Sequence, residues 1–272
     1  MNAPDPSSTV AEAPSGGASE RWIHEARGVL DHVAQQQQVI DQVCELCADA
    51  IAGDGLVHLF GTGHSRIPLE EMFPRYGSYP GWHPMAELSM TFHTQVVGTN
   101  GQRQAMFIER VPGLAEQILT NFKLGPPDVL MVFSASGRSA VPIEVAIGAR
   151  KRGLKIVAVT SAAQTYASPP THETNTRLLD HADLVLDLGT PAADAMVSIP
   201  GLEEPVGPGS TIANVAFVNA IKTGTAELLV ARDAMPPVIT SDSVVGKERS
   251  AELFEAAYLE YARRIAKALR VA

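Results

Sequence analysis

The sequence contains little cysteine, few basic residues relative to acidic ones, and no long apolar run. Cysteine is limited to Cys44 and Cys47, which excludes a disulfide framework and fits a reducing cytoplasm. No apolar stretch approaches the length needed to cross a bilayer, so a spanning segment is excluded. The formal net charge of −9 would repel nucleic acid and anionic membranes. The sequence therefore predicts a cytoplasmic protein with neither a nucleic-acid nor a membrane partner.

Length and composition predict a single globular domain. The 272 residues are 45% hydrophobic and 19% charged, an ordinary globular composition with enough chain for a sizeable core. Residues 1–20 are rich in Ala, Pro, Ser and Gly and lack the apolar segment of a secretion signal, so we interpret them as a disordered tail. Because we find neither an internal repeat nor an interdomain linker, we predict one domain over residues 21–272.

Residues 129–152 carry the strongest functional pattern. The unbroken apolar run Val129–Phe133 is typical of a strand buried on both faces of a parallel sheet, and an amphipathic helix is predicted over 140–152. The serine loop between them, residues 134–139, places three serines and Gly137 beside the free N–H groups of a helix N-terminus, which favour an anion. This loop predicts a site for the phosphate of a small molecule. Simple capping of the helix by Ser139 is the alternative interpretation.

A second glycine-rich turn, at residues 61–66, follows a strand predicted at 56–60. It is not a dinucleotide fingerprint, because Arg66 replaces the third glycine and no acidic residue ends a second strand at the expected distance. It also lacks the Gly-Lys-Ser/Thr ending of a P-loop. We interpret it as a second turn that contacts a small ligand, with Ser65 capping the helix that carries Glu70 and Glu71. Neighbours on a helix point about 100° apart, so one of these two glutamates can face inward.

The rest of the chain alternates helices and strands, a pattern that predicts parallel pairing through right-handed crossovers. Helical spacing over residues 21–52 predicts one helix, or two with a bend, and places both cysteines in its core face. Further helices are predicted at 111–122, 212–230 and 247–271, further strands at 155–161 and 184–186, a short edge strand at 196–199 and a turn at 205–209.

Residues 74–104 have weak periodicity, and the pattern there predicts only a short strand at 95–97. His83 and His93 fall in predicted loops, and neither has the spacing of a metal-ligand pair. His58 lies within the first predicted strand, and we interpret it as a hydrogen-bonded core histidine. The sequence predicts neither a metal site nor a cofactor.

Four segments together resemble the sugar isomerase (SIS) family, and in particular a bacterial branch of largely uncharacterised members related to phosphoheptose isomerase. The segments are 61–65, 70–76, 134–139 and 157–161, of which the serine loop is the most specific. The resemblance extends from about residue 55 to the C-terminal helix. It implies a three-layer α/β/α sandwich with a central, mostly parallel five-stranded sheet, assembled as a homodimer or homotetramer.

The resemblance also implies roles for individual residues. The serine loop would hold the phosphate of a phosphosugar, and the turn from Gly63 to Ser65 would touch the sugar. Aligning the glutamate-containing helix of phosphoheptose isomerase on this chain points to Glu71 as the catalytic base, with Glu70 beside it. The expected phosphate- and sugar-binding set is Gly63, Ser65, Ser134, Ser136, Gly137, Arg138, Ser139 and Ser161.

Two departures from phosphoheptose isomerase qualify this expectation. Its metal-binding histidine, one helical turn before the catalytic glutamate, corresponds here to Ile67, which cannot coordinate zinc. The predicted helix 212–230 contains no histidine to act as the second acid/base, which leaves His64 and His172 as the available imidazoles.

Three functional hypotheses follow. The favoured one is aldose–ketose isomerisation of a sugar phosphate through an enediol, with a glutamate whose pKa is raised by partial burial as the base. A non-catalytic phosphosugar sensor that acts on a protein partner is the second. A lyase or etherase acting on an amino-sugar phosphate is the third.

Overall fold

Five parallel strands form the central sheet of the protein, seen in a computed structural model that describes residues 16–91 and 102–269. The strands are β1 (Val57–Gly61), β2 (Trp82–Met85), β3 (Val129–Phe133), β4 (Lys155–Thr160) and β5 (Leu184–Asp187). They lie in the order β2-β1-β3-β4-β5, and each neighbouring pair is parallel. The predicted α/β fold with a five-stranded parallel sheet is thus confirmed.

Helices cover both faces of this sheet. They are α1 (Ala18–Ala34), α2 (Gln37–Ala52), α3 (Ile67–Met72), α4 (Gln102–Ile108), α5 (Leu114–Leu119), α6 (Ala140–Lys151), α7 (Ala162–Tyr166), α8 (Ser210–Ala231), α9 (Asp242–Val245) and α10 (Lys247–Ala268). Short 3₁₀ turns lie at Gly63–Arg66, Leu88–Met90 and Leu178–His181.

Strand β3 shows why its sequence has no apolar alternation. Val129, Met131 and Phe133 pack into a core shared with α1, α2, α3, α8 and α10. Leu130 and Val132 face the opposite way, into a second core with α5 and α6. Both faces of the strand are covered by helices, so both sets of side chains are apolar.

Several predicted helix boundaries are wrong. The N-terminal span is two helices, which was one of the two predicted alternatives, but the first begins at Ala18, inside the segment interpreted as a tail. The helix predicted at 111–122 is shorter in the structure and spans only α5, because Gly113, with a positive φ of 82°, occupies its N-cap position. Ser65 does not cap α3, since it lies inside the preceding 3₁₀ turn.

The sequence analysis missed strand β2 and placed its His83 in a loop. This strand is the edge of the sheet, where Pro84 is tolerated because one side of the strand makes no ladder hydrogen bonds. The edge strand and turn predicted near residues 196–209 instead form a separate antiparallel hairpin of β6 (Ala195–Val197) and β7 (Val206–Pro208). The strand predicted at 95–97 and His93 lie outside the described residues, as do residues 1–15.

Among the helices in the described ranges, none is both long and apolar enough to cross a membrane.

Candidate functional site

The strand order creates a switch point between β1 and β3. The chain leaves β1 towards one edge of the sheet and leaves β3 towards the other, so the loops at their carboxyl ends diverge and open a crevice. Thr62 follows β1 and the serine loop follows β3. The two turns singled out in the sequence therefore meet at the position where open α/β sheets bind their ligands.

The serine loop is held from beneath by hydroxyls of the β4–α7 region. Gly137 has a φ of 59°, and its N–H donates to the Ser134 carbonyl at 3.1 Å and contacts Ser134 Oγ at 3.2 Å. Thr160 and Thr165 donate to the carbonyls of Ala135 and Ser136. The hydroxyl of Ser134 is thus turned into the loop and stabilises its shape.

Glu109, which follows α4, joins the two turns across the switch point. Its Oε1 accepts from the Ser139 hydroxyl at 2.9 Å, and its Oε2 accepts from the Thr62 hydroxyl at 2.6 Å. Its backbone carbonyl also accepts from the N–H of Val141 in the first turn of α6, at 2.9 Å. Ser139 occupies the N-cap position, as in the alternative interpretation, but its side chain donates to Glu109 and does not cap a helix N–H.

A cleft of about 590 Å³ opens above these residues, and we call it the switch-point cleft. Its lining residues are Met106, Glu109, Arg110, Ser136, Arg138, Ser139, Ala140, Thr171 and His172. Arg138 is half-buried here, and among the described residues its guanidinium Nε has no hydrogen-bond partner. Of the predicted site residues, Ser136, Arg138, Ser139 and His172 are brought together in this cleft.

His172 is held in one orientation within the cleft. Its Nδ1 lies 2.7 Å from the Thr174 hydroxyl, and the Thr174 N–H donates to the same Nδ1 at 3.3 Å. Since an N–H can only donate, Nδ1 is an acceptor and the neutral ring carries its proton on Nε2. That Nε2 lies 3.4 Å from Glu144 Oε1, so the ring is oriented at both nitrogens.

Glu71 and Glu70 lie at a different cleft, of about 540 Å³, which we call the aromatic cleft. Its lining residues are Ile67, Glu70, Glu71, Pro74, Arg75, Tyr76, Ile239, Phe254 and Tyr258. Glu71 Oε1 accepts from Asn219 at 2.9 Å, and its Oε2 pairs with Arg75. Glu70 is exposed and pairs with Arg66.

The electrostatic setting of Glu71 is the opposite of the one expected for a base. Partial burial raises the pKa of Glu71, but the hydrogen bonds from Asn219 and Arg75 and the nearby charge of Lys222 outweigh it, so the pKa lies below its usual value. Glu71 is a carboxylate stabilised by its neighbours and is a weaker proton acceptor than an unperturbed glutamate.

The other predicted site residues have varied positions. Gly63 is buried with a φ of 55°, and Ser65 is half-buried in the same 3₁₀ turn, where His64 is exposed. Ser161 is fully buried: its hydroxyl donates to the Thr190 carbonyl at 2.7 Å and caps α7 by accepting from the Gln164 N–H. The geometry of Ser161 is that of a structural residue.

A zinc site does not fit the residues present. Ile67 lines the aromatic cleft beside Glu71, and its aliphatic side chain offers no donor atom. In residues 16–91 and 102–269, no group of three or more His, Cys, Asp or Glu side chains is placed to hold a metal ion.

Comparison with known proteins identifies the family. Residues 21–161 match the family model described as "SIS domain". The chain belongs to the SIS domain family. It is 32% identical over 231 residues to a UPF0309 protein of Streptomyces avermitilis, covering 84% of this chain and 90% of that protein. It is 30% identical over 220 residues to a UPF0309 protein of Geobacillus kaustophilus, covering 81% and 84%.

The fold of this SIS protein is similar to that of a phosphoheptose isomerase from Francisella tularensis. The TM-score is 0.51 over 77% of this chain and 96% of that chain. Sequence identity is only 13%, so the likeness shows the shared fold.

Sequence reasoning missed Glu109 and Arg110 as members of the site. Thr62 lies in the turn predicted to contact a ligand, but it was not among the predicted site residues. Glu109 is a single glutamate at the end of a short helix, and nothing near it in sequence distinguishes it from a surface residue. Its contacts with Thr62 and Ser139 span 47 and 30 positions. Only knowledge that β1 and β3 are neighbours with a switch point between them would have directed attention to it.

Proposed function

We propose that this SIS protein binds a phosphorylated sugar in the switch-point cleft and interconverts its aldose and ketose forms. The observation that carries the proposal is the position of Arg138. A half-buried guanidinium, whose Nε has no hydrogen-bond partner in the part of the chain that the structure describes, lies among serine hydroxyls at the switch point where a ligand is expected. A buried donor without a partner costs about 1–3 kcal/mol, which an anionic ligand would recover.

The phosphate would be bound by a small group of donors. Arg138 and Arg110 supply positive charge, and Ser136 supplies a hydroxyl from the serine loop. Arginine forms paired, charge-assisted hydrogen bonds with phosphate oxygens. These donors lie in a cleft that also contains a carboxylate and an imidazole, so a bound phosphosugar would extend from the arginines towards groups able to move protons.

Isomerisation through an enediol needs two kinds of proton transfer. One group removes a proton from the carbon next to the carbonyl, and another moves a proton between the two oxygens. His172 is suited to the second task, because its neutral ring carries a proton on Nε2 and is oriented by Thr174 and Glu144. Anchoring the phosphate at a distance would hold the reacting carbons against these groups.

Binding is tested with a panel of sugar phosphates and the variant Arg138→Gln. Loss of one charged hydrogen-bonding group should raise the dissociation constant about ten- to a hundredfold. Arg249→Gln is the matched control, since Arg249 is exposed and pairs with Glu252 on α10. Equal affinity of wild type and Arg138→Gln for every bound sugar phosphate would refute the assignment of the phosphate to this cleft.

Turnover is tested in deuterated water with the sugar phosphates that bind. Isomerisation should place solvent deuterium at C2 of the aldose or C1 of the ketose, detected by NMR. Binding without deuterium incorporation would support phosphosugar recognition but refute isomerase activity, and it is the result expected for a sensor. Release of a hydroxy acid or a second product instead would indicate a lyase.

A further inference from the structure

We propose that Glu109, and not Glu71, is the carboxylate that removes the proton from the sugar carbon. This inference deepens the proposed function and rests on it. The two glutamates line separate clefts, and only Glu109 shares a cleft with Ser136, Arg138 and His172.

Glu109 is placed where a reacting carbon would lie. Its two carboxylate oxygens join the turn after β1 to the serine loop after β3, so the group lies across the switch point itself. A sugar whose phosphate is bound by Arg138 would extend along the cleft wall that Glu109 and His172 share. A carboxylate and an imidazole would then be available to the same pair of carbons.

Three hydrogen bonds also fix the orientation of Glu109. The hydroxyls of Thr62 and Ser139 each donate to one carboxylate oxygen, and the Val141 N–H donates to the backbone carbonyl. Each carboxylate oxygen has a second lone pair, so both can accept a further hydrogen. Both neighbours are neutral hydroxyls. Glu71, in contrast, is paired with the cationic Arg75.

The proton transfers balance without any further reactant. Glu109 takes the proton from C2 of an open-chain aldose, the C–H electrons form a C1–C2 double bond, and the carbonyl oxygen takes the Nε2 proton of His172, which is left as an imidazolate. Deprotonation of the C2 hydroxyl by His172 restores that imidazole, and Glu109 returns its proton to C1 to give the ketose. Exchange of the Glu109 proton with water between these two steps accounts for the expected deuterium incorporation.

The first test maps the carboxylate chemically and needs no turnover. A 1,2-anhydro sugar 6-phosphate carries an epoxide at the reacting carbons; a carboxylate oxygen that lies against them opens the ring and forms a stable ester. Peptide mass spectrometry of the wild-type protein should find the ester on Glu109. An ester on Glu71, or binding of the reagent with no ester on Glu109, would overturn the inference.

The second test compares three variants in the isomerase assay. Glu109→Gln should lower kcat by about 10²- to 10⁴-fold, the usual contribution of a general base, while the melting shift produced by the sugar phosphate is retained. Glu71→Gln should lower kcat far less, and Glu227→Gln, at an exposed position on α8, is the unchanged control. Loss of activity in Glu71→Gln with activity retained in Glu109→Gln would refute the assignment.

The two proposals fail in different ways. If the wild-type protein forms the Glu109 ester but turns over no sugar phosphate, the proposed isomerisation is refuted, while the position of Glu109 beside the sugar carbons is supported. If the wild-type protein is an isomerase and its ester lies on Glu71, the proposed function is supported and the assignment of Glu109 as the base is refuted.

Discussion

Mild acid should destabilise the protein through a buried pair of histidines near the amino ends of β1 and β2. His58 of β1 and His83 of β2 lie side by side, with their Nδ1 atoms 2.8 Å apart, and His58 is fully buried. One Nδ1 must donate and the other accept, so the contact requires a neutral acceptor ring. Burial, and then the neighbouring His58, lower the pKa of His83 from 6.5 to about 3, although Asp128 acts in the opposite direction.

The sign and size of the effect follow from linkage. Below pH 6.5 the unfolded chain takes up a proton on this histidine that the folded chain does not bind, so stability is full above about pH 7.5 and falls as the pH drops towards 3. The slope is about 1.4 kcal/mol per pH unit for one group. Between pH 7.5 and pH 5 we therefore expect His83 to remove about 2 kcal/mol from the free energy of unfolding.

The assay is urea unfolding, followed by circular dichroism at 222 nm, of the wild type and His83→Asn. Asparagine keeps a hydrogen-bonding group opposite His58 but does not titrate. Carboxylates far from this contact contribute equally to both proteins, so the difference between the two pH dependences reports on the His58–His83 pair. Equal losses of stability in the two proteins between pH 7.5 and pH 5 would refute the assignment of a buried, neutral His83.

Three further outcomes are expected. Gly137→Ala should lower the free energy of unfolding by about 1–3 kcal/mol and weaken sugar-phosphate binding, because its Cβ would lie 2.9 Å from a threonine hydroxyl. The control is Gly113→Ala, whose Cβ meets nothing within 4 Å, so urea unfolding should show only the strain of its positive φ. Ser161→Ala should lower the free energy of unfolding by about 1–2 kcal/mol and leave sugar-phosphate binding unchanged. Ser136→Ala should weaken binding and leave stability unchanged, so equal effects of the two variants on binding would contradict the separate roles of these serines. Burial raises the pKa of the Cys44 thiol to about 11, so a thiol reagent at pH 8 should label it only after unfolding.

The sequence predicts the interior of this fold better than its edge. Strands β3 and β4 are runs of apolar residues because both faces of the sheet are covered, and such runs can be recognised as strands from the sequence alone. Strand β2 contains His83 and Pro84, which argue locally against a strand. It exists because β1 supplies a partner on one side and because an edge position needs hydrogen bonds on that side alone.

The same distinction applies to the site. The serine loop could be predicted because its serines and glycine are adjacent in sequence and lie between a strand and a helix. The resemblance to phosphoheptose isomerase directed attention to Glu71, since alignment transfers a role by position along a helix. Glu109 has no such local or aligned signal, and its place in the cleft depends on the order of strands in the sheet.

The acidic character of the whole chain is compatible with binding an anionic sugar phosphate. The net charge of −9 acts at long range, where salt screens exposed charges beyond roughly 8 Å. Arg110 and Arg138 line the switch-point cleft, and the carboxylate of Glu109 in the same cleft accepts hydrogen bonds from the Thr62 and Ser139 hydroxyls. Short-range donors should therefore decide affinity, and raising the salt concentration should weaken binding through these two arginines and not strengthen it through relief of the net charge.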